Sequence, residues 1–87
     1  MYKADSQSNS KLTPQVDLNL LRYLTVLVQE CSVSRAAERV DITQPAMSAA
    51  LKRLRTAFGD PILVRSGQAM VATPRAEEMA ATVKPLL

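Results

Sequence analysis

From residue 17 onward, apolar residues recur at intervals of three and four, and each such run is preceded by a short polar residue: Asp17, Ser32, Thr43 and Thr73. Side-chain oxygens at these positions can accept from the free N–H groups of a first helical turn, so the pattern predicts four helices. The first runs to about Glu30, with Leu20, Leu24, Leu27 and Val28 along one side and Leu21 beside them. The second is two turns long, Val33 to Val40, with Ala36, Ala37 and Val40 inward. The third carries Met47, Ala50, Leu51, Leu54 and Phe58 in one stripe, and its Pro45 sits where a missing N–H costs nothing. Gly59-Asp60-Pro61 stops it and turns the chain. Two strand-like runs follow, Ile62–Arg65 and Met70–Ala72, around Ser66-Gly67-Gln68-Ala69, which reads as a small hairpin, or wing.

The last helix opens with Pro74 at its first position and Glu77 and Glu78 in its first turn, where the helix dipole favours negative charge. Its apolar stripe is Ala76, Met79, Ala80, Val83 and Leu87, and Pro85 predicts a kink or an end near Lys84. That stripe either folds back on its own core or pairs with a second copy, and pairing is the expectation taken forward. Residues 1–16 are rich in Ser, Gln, Asn, Lys and Asp and read as a flexible arm. The expected organisation is therefore an arm over 1–16, a mainly α winged helix-turn-helix domain over 17–72, and a linker and dimerisation helix over 73–87.

Only Asp41 and Ile42 separate the second helix from Thr43. Helices joined by so short a turn must cross steeply, and small residues such as Ala36 and Ala37 permit the close contact. Asp41 is the residue there best suited to a positive φ. Opposite its apolar stripe the third helix carries Pro45, Ser48, Ala49, Lys52 and Thr56. Short side chains near the N-terminus let a helix approach base edges, while Lys52, Arg53 and Arg55 can neutralise phosphates further along. A surface helix with a solvated basic end has the same pattern.

Composition narrows the choice. The 87 residues carry 11 basic and 8 acidic groups, a net charge of +3. Between residues 35 and 75 seven basic residues face three acidic ones, so the excess sits on the helix-turn-helix and wing. The 47% hydrophobic fraction includes one Phe, two Tyr and no Trp, which suits a helical core of Leu, Val, Ile, Met and Ala. With no His and a single Cys, the chain has neither a triad nor a metal set, and no cofactor or catalysis is expected. Cys31 reads as a small residue near the end of the first helix and suits a reducing compartment. No apolar run reaches membrane-spanning length, no signal peptide is evident, and the expected location is the cytoplasm, on the nucleoid.

Taken together, Asp17-Leu18-Asn19-Leu20-Leu21, Ser34-Arg35-Ala36-Ala37-Glu38-Arg39, Thr43-Gln44-Pro45-Ala46-Met47-Ser48, Leu51-Lys52-Arg53-Leu54-Arg55, Asp60-Pro61-Ile62-Leu63-Val64-Arg65 and Thr73-Pro74 form an ordered series. In that order and spacing the stretch from Asp17 to about Leu87 resembles the N-terminal DNA-binding domain of LysR-type transcriptional regulators. Within the family it looks most like the branch of nodulation regulators and activators of aromatic-compound degradation. The resemblance implies a winged helix-turn-helix that dimerises through the last helix and binds an operator in double-stranded DNA. It also implies an inducer-binding domain in the full-length parent, absent from these 87 residues, so the chain reads as an excised reading head in preference to a truncated product.

Carried over position by position, Gln44 and Pro45 match the family's base-contacting pair. The chemistry agrees: Gln pairs bidentately with adenine and a proline ring can touch a thymine methyl. Ser48 and Ala49 match further contact positions, although Ala49 departs from relatives with a long polar residue there and retains only a methyl contact. Ser34, Arg35 and Thr43 match phosphate-contacting positions. Arg65 and Gln68 lie where the family's wing reaches the backbone and minor groove, and Gln68 lacks the charge that a narrow groove attracts. Two other classes stay open on the residues alone. A winged helix also serves as a protein-docking module with only nonspecific affinity for DNA, and a basic helix can lie on a membrane. The first is disfavoured because the proposed reading face lacks large apolar anchors, the second because it lacks bulky residues to insert.

Overall fold

The structure is a computed structural model that describes residues 17–87; the arm expected over 1–16 lies outside the described residues. Each predicted cap forms. Asp17 Oδ1 accepts from the Leu20 N–H at 2.8 Å and opens α1, Leu18–Glu30. Ser32 Oγ accepts from Arg35 N at 3.2 Å and opens α2, Val33–Arg39. Thr43 Oγ1 accepts from Ala46 N at 3.2 Å and opens α3, Gln44–Phe58. Thr73 Oγ1 accepts from Ala76 N at 3.0 Å and opens α4, Pro74–Val83. Between α3 and α4 lie β1, Leu63–Ser66, and β2, Ala69–Ala72. They pair antiparallel with Leu63 opposite Ala72 and Ser66 opposite Ala69, so the turn is the two residues Gly67 and Gln68.

The α2–α3 turn is held by its own main chain. Asp41 N donates to Glu38 O at 3.2 Å and Ile42 N to Ala37 O at 3.0 Å, with Asp41 at φ 60° as its chemistry allows. Gly59 ends α3 at φ 59°, its N–H bonded to Arg55 O. Cys31 ends α1 in the same left-handed conformation at φ 51°, and its N–H donates to Leu27 O at 2.8 Å. A single turn of 3-10 helix, Lys84–Leu86, follows α4 where Pro85 removes a donor.

The core is built around α1, which packs against α2, α3, α4 and β2. Leu20, Leu24 and Leu27 are fully buried, each contributing about 1.5–3 kcal/mol by removal from water. The buried arc of α1 also takes in Thr25 and Val26, while Val28 is only half-buried. A one-sided stripe underestimates a helix covered on several sides, and Thr25 enters because its hydroxyl donates to Arg22 O at 2.7 Å. On α3, Met47, Ala50, Leu51 and Leu54 are buried as predicted and Phe58 half-buried.

Two expectations are corrected. Ile62 is not in a strand: β1 begins one residue later, and Ile62 lies at φ 68° with its side chain wholly buried. Nor do all five residues of the α4 stripe await a second copy. Ala76 and Ala80, at 0% and 7% exposure, belong to this chain's own core, where α4 lies along α1. Their methyl groups allow the close approach of the two helices. Met79 and Val83 are half-buried and Leu87 is exposed.

Candidate nucleic-acid interface

Burial of Met47, Ala50, Leu51 and Leu54 fixes the rotation of α3 and leaves Gln44, Pro45, Ser48, Ala49, Lys52 and Arg53 exposed on its other side. Gln44 and Pro45 are the first two residues of the helix, and Ser48, Ala49 and Lys52 continue the same side at one-turn spacing. The order along the axis is amide, ring, hydroxyl, methyl and ammonium: short and neutral at the entry, cationic further in. A shallow recess of about 230 Å³ over Lys52, Arg53, Thr56 and Ala57 marks the cationic end.

Other elements carry further exposed donors. Ser34 and Arg35 are exposed in the first turn of α2. Thr43 is exposed just ahead of α3 and, because its oxygen serves as acceptor in the cap, it still has a hydroxyl hydrogen to give. On the wing, Arg65 is exposed in β1 and Gln68 sits in the hairpin turn. The exposed basic and polar residues thus fall on three sequential elements, with Gln44 and Pro45 between the α2 donors and Lys52.

Arg55 departs from the group in which the sequence placed it. Its guanidinium turns to the main chain at the base of the wing: Nε donates to Pro61 O at 2.8 Å and Nη2 to Leu63 O at 3.3 Å. Nε and Nη2 are thus engaged by the chain's own carbonyls. Arg39 is likewise occupied, donating from Nη1 to Gln29 Oε1 at 2.7 Å and to Glu30 Oε2 at 3.0 Å, which ties the end of α2 to the end of α1. No local pattern reveals either role, because the acceptors lie six to ten residues away on other segments.

Sequence reasoning also missed Asp60. Its Oδ2 accepts from Thr73 Oγ1 at 2.6 Å and from Ile62 N at 2.9 Å. The Thr73 hydroxyl first and the Ile62 amide next hold this carboxyl below its ordinary value of 3.8 against the opposing effect of burial, and the charge of Arg75 adds a lesser push in the same direction. The available signal was its spacing, an Asp-Pro turn and a Thr-Pro cap flanking a hairpin.

Away from the α3 face, a groove of about 400 Å³ runs between α1, the end of α3 and α4, lined by Leu21, Phe58, Glu78, Met79, Thr82 and Val83. It is apolar and holds no convergent nucleophile and base. Among the described residues no set of three His, Cys, Asp or Glu side chains could hold a metal ion, and no helix is long and apolar enough to cross a membrane.

Comparison with known proteins gives this geometry a context. Residues 18–77 match the family described as bacterial regulatory helix-turn-helix protein, lysR family. Nodulation protein D 1 of Rhizobium meliloti (strain 1021) is 47% identical over 72 residues, covering 83% of this chain and 23% of that protein. The chain thus spans about a quarter of the length of such curated relatives. Among solved structures, a probable transcriptional regulator from Pseudomonas aeruginosa superposes with a TM-score of 0.75 at 39% identity, over 83% of this chain and 24% of that one. The BenM DNA-binding domain in its complex with benA site 1 DNA superposes with a TM-score of 0.72 at 28% identity, over 82% and 80% of the two chains. The resemblance read from the sequence, nodulation regulators included, is the one these matches return.

Proposed function

Because this chain belongs to the lysR family of bacterial regulatory helix-turn-helix proteins, we propose that its α3 face reads an operator in double-stranded DNA as one half of a symmetric dimer. The chain is a winged helix-turn-helix DNA-binding domain rather than an enzyme. The finer assignment is that Gln44, Pro45, Ser48 and Ala49 meet base edges in the major groove. In this reading Ser34, Arg35, Thr43, Lys52 and Arg53 contact phosphates, and Arg65 and Gln68 of the wing lie against the backbone and minor groove. The observation that carries the reading is the rotation of α3, whose buried stripe leaves short neutral side chains exposed at the helix start and cations beyond.

Two copies pair through what α4 leaves uncovered: Met79 and Val83 at the apolar groove and Leu87 beyond it. Pairing places two α3 helices in successive major grooves of an interrupted palindrome. The full-length parent acts in the cytoplasm on the nucleoid, and its remaining length includes an inducer-binding domain.

Fluorescence-anisotropy titration of a pool of interrupted-palindrome duplexes against a scrambled duplex, across salt concentrations, tests the proposal. A preference of at least about 10³ for some members supports a sequence reader, and the preferred half-site spacing then reports the dimer geometry. Equal binding to all duplexes that vanishes with salt would leave nonspecific electrostatics and favour a protein-docking module instead.

A further inference from the structure

We propose that Arg55, Asp60 and Thr73 are positioning residues that clasp a strained turn at Ile62 and so fix the wing on α3; the consequence for DNA rests on the reading above, the clasp itself does not. The turn is unusual. Leu63 N donates to Pro61 O at 2.7 Å across Ile62, which sits at φ 68°. A bond between residues two apart about a centre with positive φ is a γ-turn of the rare, strained kind, and a β-branched residue is among the least suited to it. Such a conformation persists only where its surroundings over-determine it.

Here they do so from three sides. The Ile62 side chain is fully buried, its N–H is taken by Asp60 Oδ2, and its carbonyl accepts from Thr73 N at 2.9 Å. Arg55, reaching from α3, donates to Pro61 O, the same carbonyl that closes the γ-turn, and to Leu63 O at the first residue of β1. Thr73 meanwhile donates to Asp60 and accepts from Ala76 N in the α4 cap. The base of the wing is thereby tied to α3 on one side and to the start of α4 on the other. A planar fork suits Arg55 to two carbonyls of different residues, and a lysine ammonium has no equivalent of that fork.

Arg55→Lys and Arg55→Ala in the full 87-residue chain decide the matter. Amide exchange in the free proteins should accelerate about tenfold or more over residues 63–72 in both variants, with α1 amides unchanged. On a mixed-sequence duplex, Arg55→Lys should lose as much affinity as Arg55→Ala, and neither loss should add to that of Arg65→Ala, because Arg55 acts through the wing. Unchanged wing exchange would overturn the clasp, as would acceleration spread equally over α1. Retained affinity in Arg55→Lys with an additive loss in Arg55→Ala would make Arg55 a phosphate contact after all. Should no form of the chain bind duplex, the DNA reading fails while the exchange measurement still decides the clasp.

Discussion

Gln44 and Lys52 lie on the same side of α3, yet they should fail differently. An amide that pairs with one base edge carries sequence information, whereas an ammonium on a phosphate carries none. Gln44→Ala should lose about 1–3 kcal/mol of binding to the preferred duplex and relax one base step, while Lys52→Ala should weaken all duplexes alike and lower the salt slope by about 1. Anisotropy on preferred and scrambled duplexes separates the two, and equal effects on both would contradict the assigned roles. Asp60 gives a second expectation at this scale. Its folded carboxyl is held below 3.8 by Thr73 and Ile62, so the unfolded chain binds more protons as pH falls past 3.8. The stability it confers is therefore present above that value and is lost as pH drops through the lower folded value. Thermal melts on either side of pH 3.8 should show Asp60→Asn less stable than wild type above it and converging with wild type below. A constant gap across that range would mean that the charge is irrelevant to the turn.

At the scale of elements, α1 is the brace on which the rest leans. Leu24, fully buried in the middle of it, should cost about 2–5 kcal/mol when cut to Ala, through the cavity it leaves. Chemical unfolding should show a lower midpoint with an unchanged slope. A folded variant that had lost only DNA affinity would mean that α1 is not the brace. Helix starts were legible in the sequence because capping is local chemistry: the oxygens of Asp17, Ser32, Thr43 and Thr73 each accept from the N–H three residues on. The exposed side of α3 was legible because its buried stripe is regular. The Ile62 turn was not, since a β-branched residue in an apolar run reads as strand and only contacts from Asp60, Thr73 and Arg55 hold it otherwise. The α4 stripe was half legible. Periodicity identifies an apolar face, but it does not say whether the same chain or another covers it, and Ala76 and Ala80 are covered by the same chain.

For the molecule as a whole, that division of α4 makes a prediction about assembly. Val83→Glu puts a carboxylate at the half-buried groove, and it should reduce two chains per palindromic duplex to one in sedimentation while leaving the melting temperature near that of wild type. Ala80→Glu puts the same group at a position only 7% exposed and should unfold the domain. Undisturbed pairing in a folded Val83→Glu would move the seam elsewhere. The turn at Asp41 and Ile42 has a consequence of another kind. Two main-chain bonds and a left-handed residue hold the turn between α2 and α3, so if the proposed reading holds, a change of target is expected through exposed side chains rather than through a tilt of the helix. On that reading the change is expected at Gln44, Ser48 or Ala49, exposed positions where most substitutions shift stability by no more than about 0.5 kcal/mol. Stability and vocabulary would then rest on separate residues, and new regulatory circuits could diverge from one scaffold without passing through an unfolded ancestor.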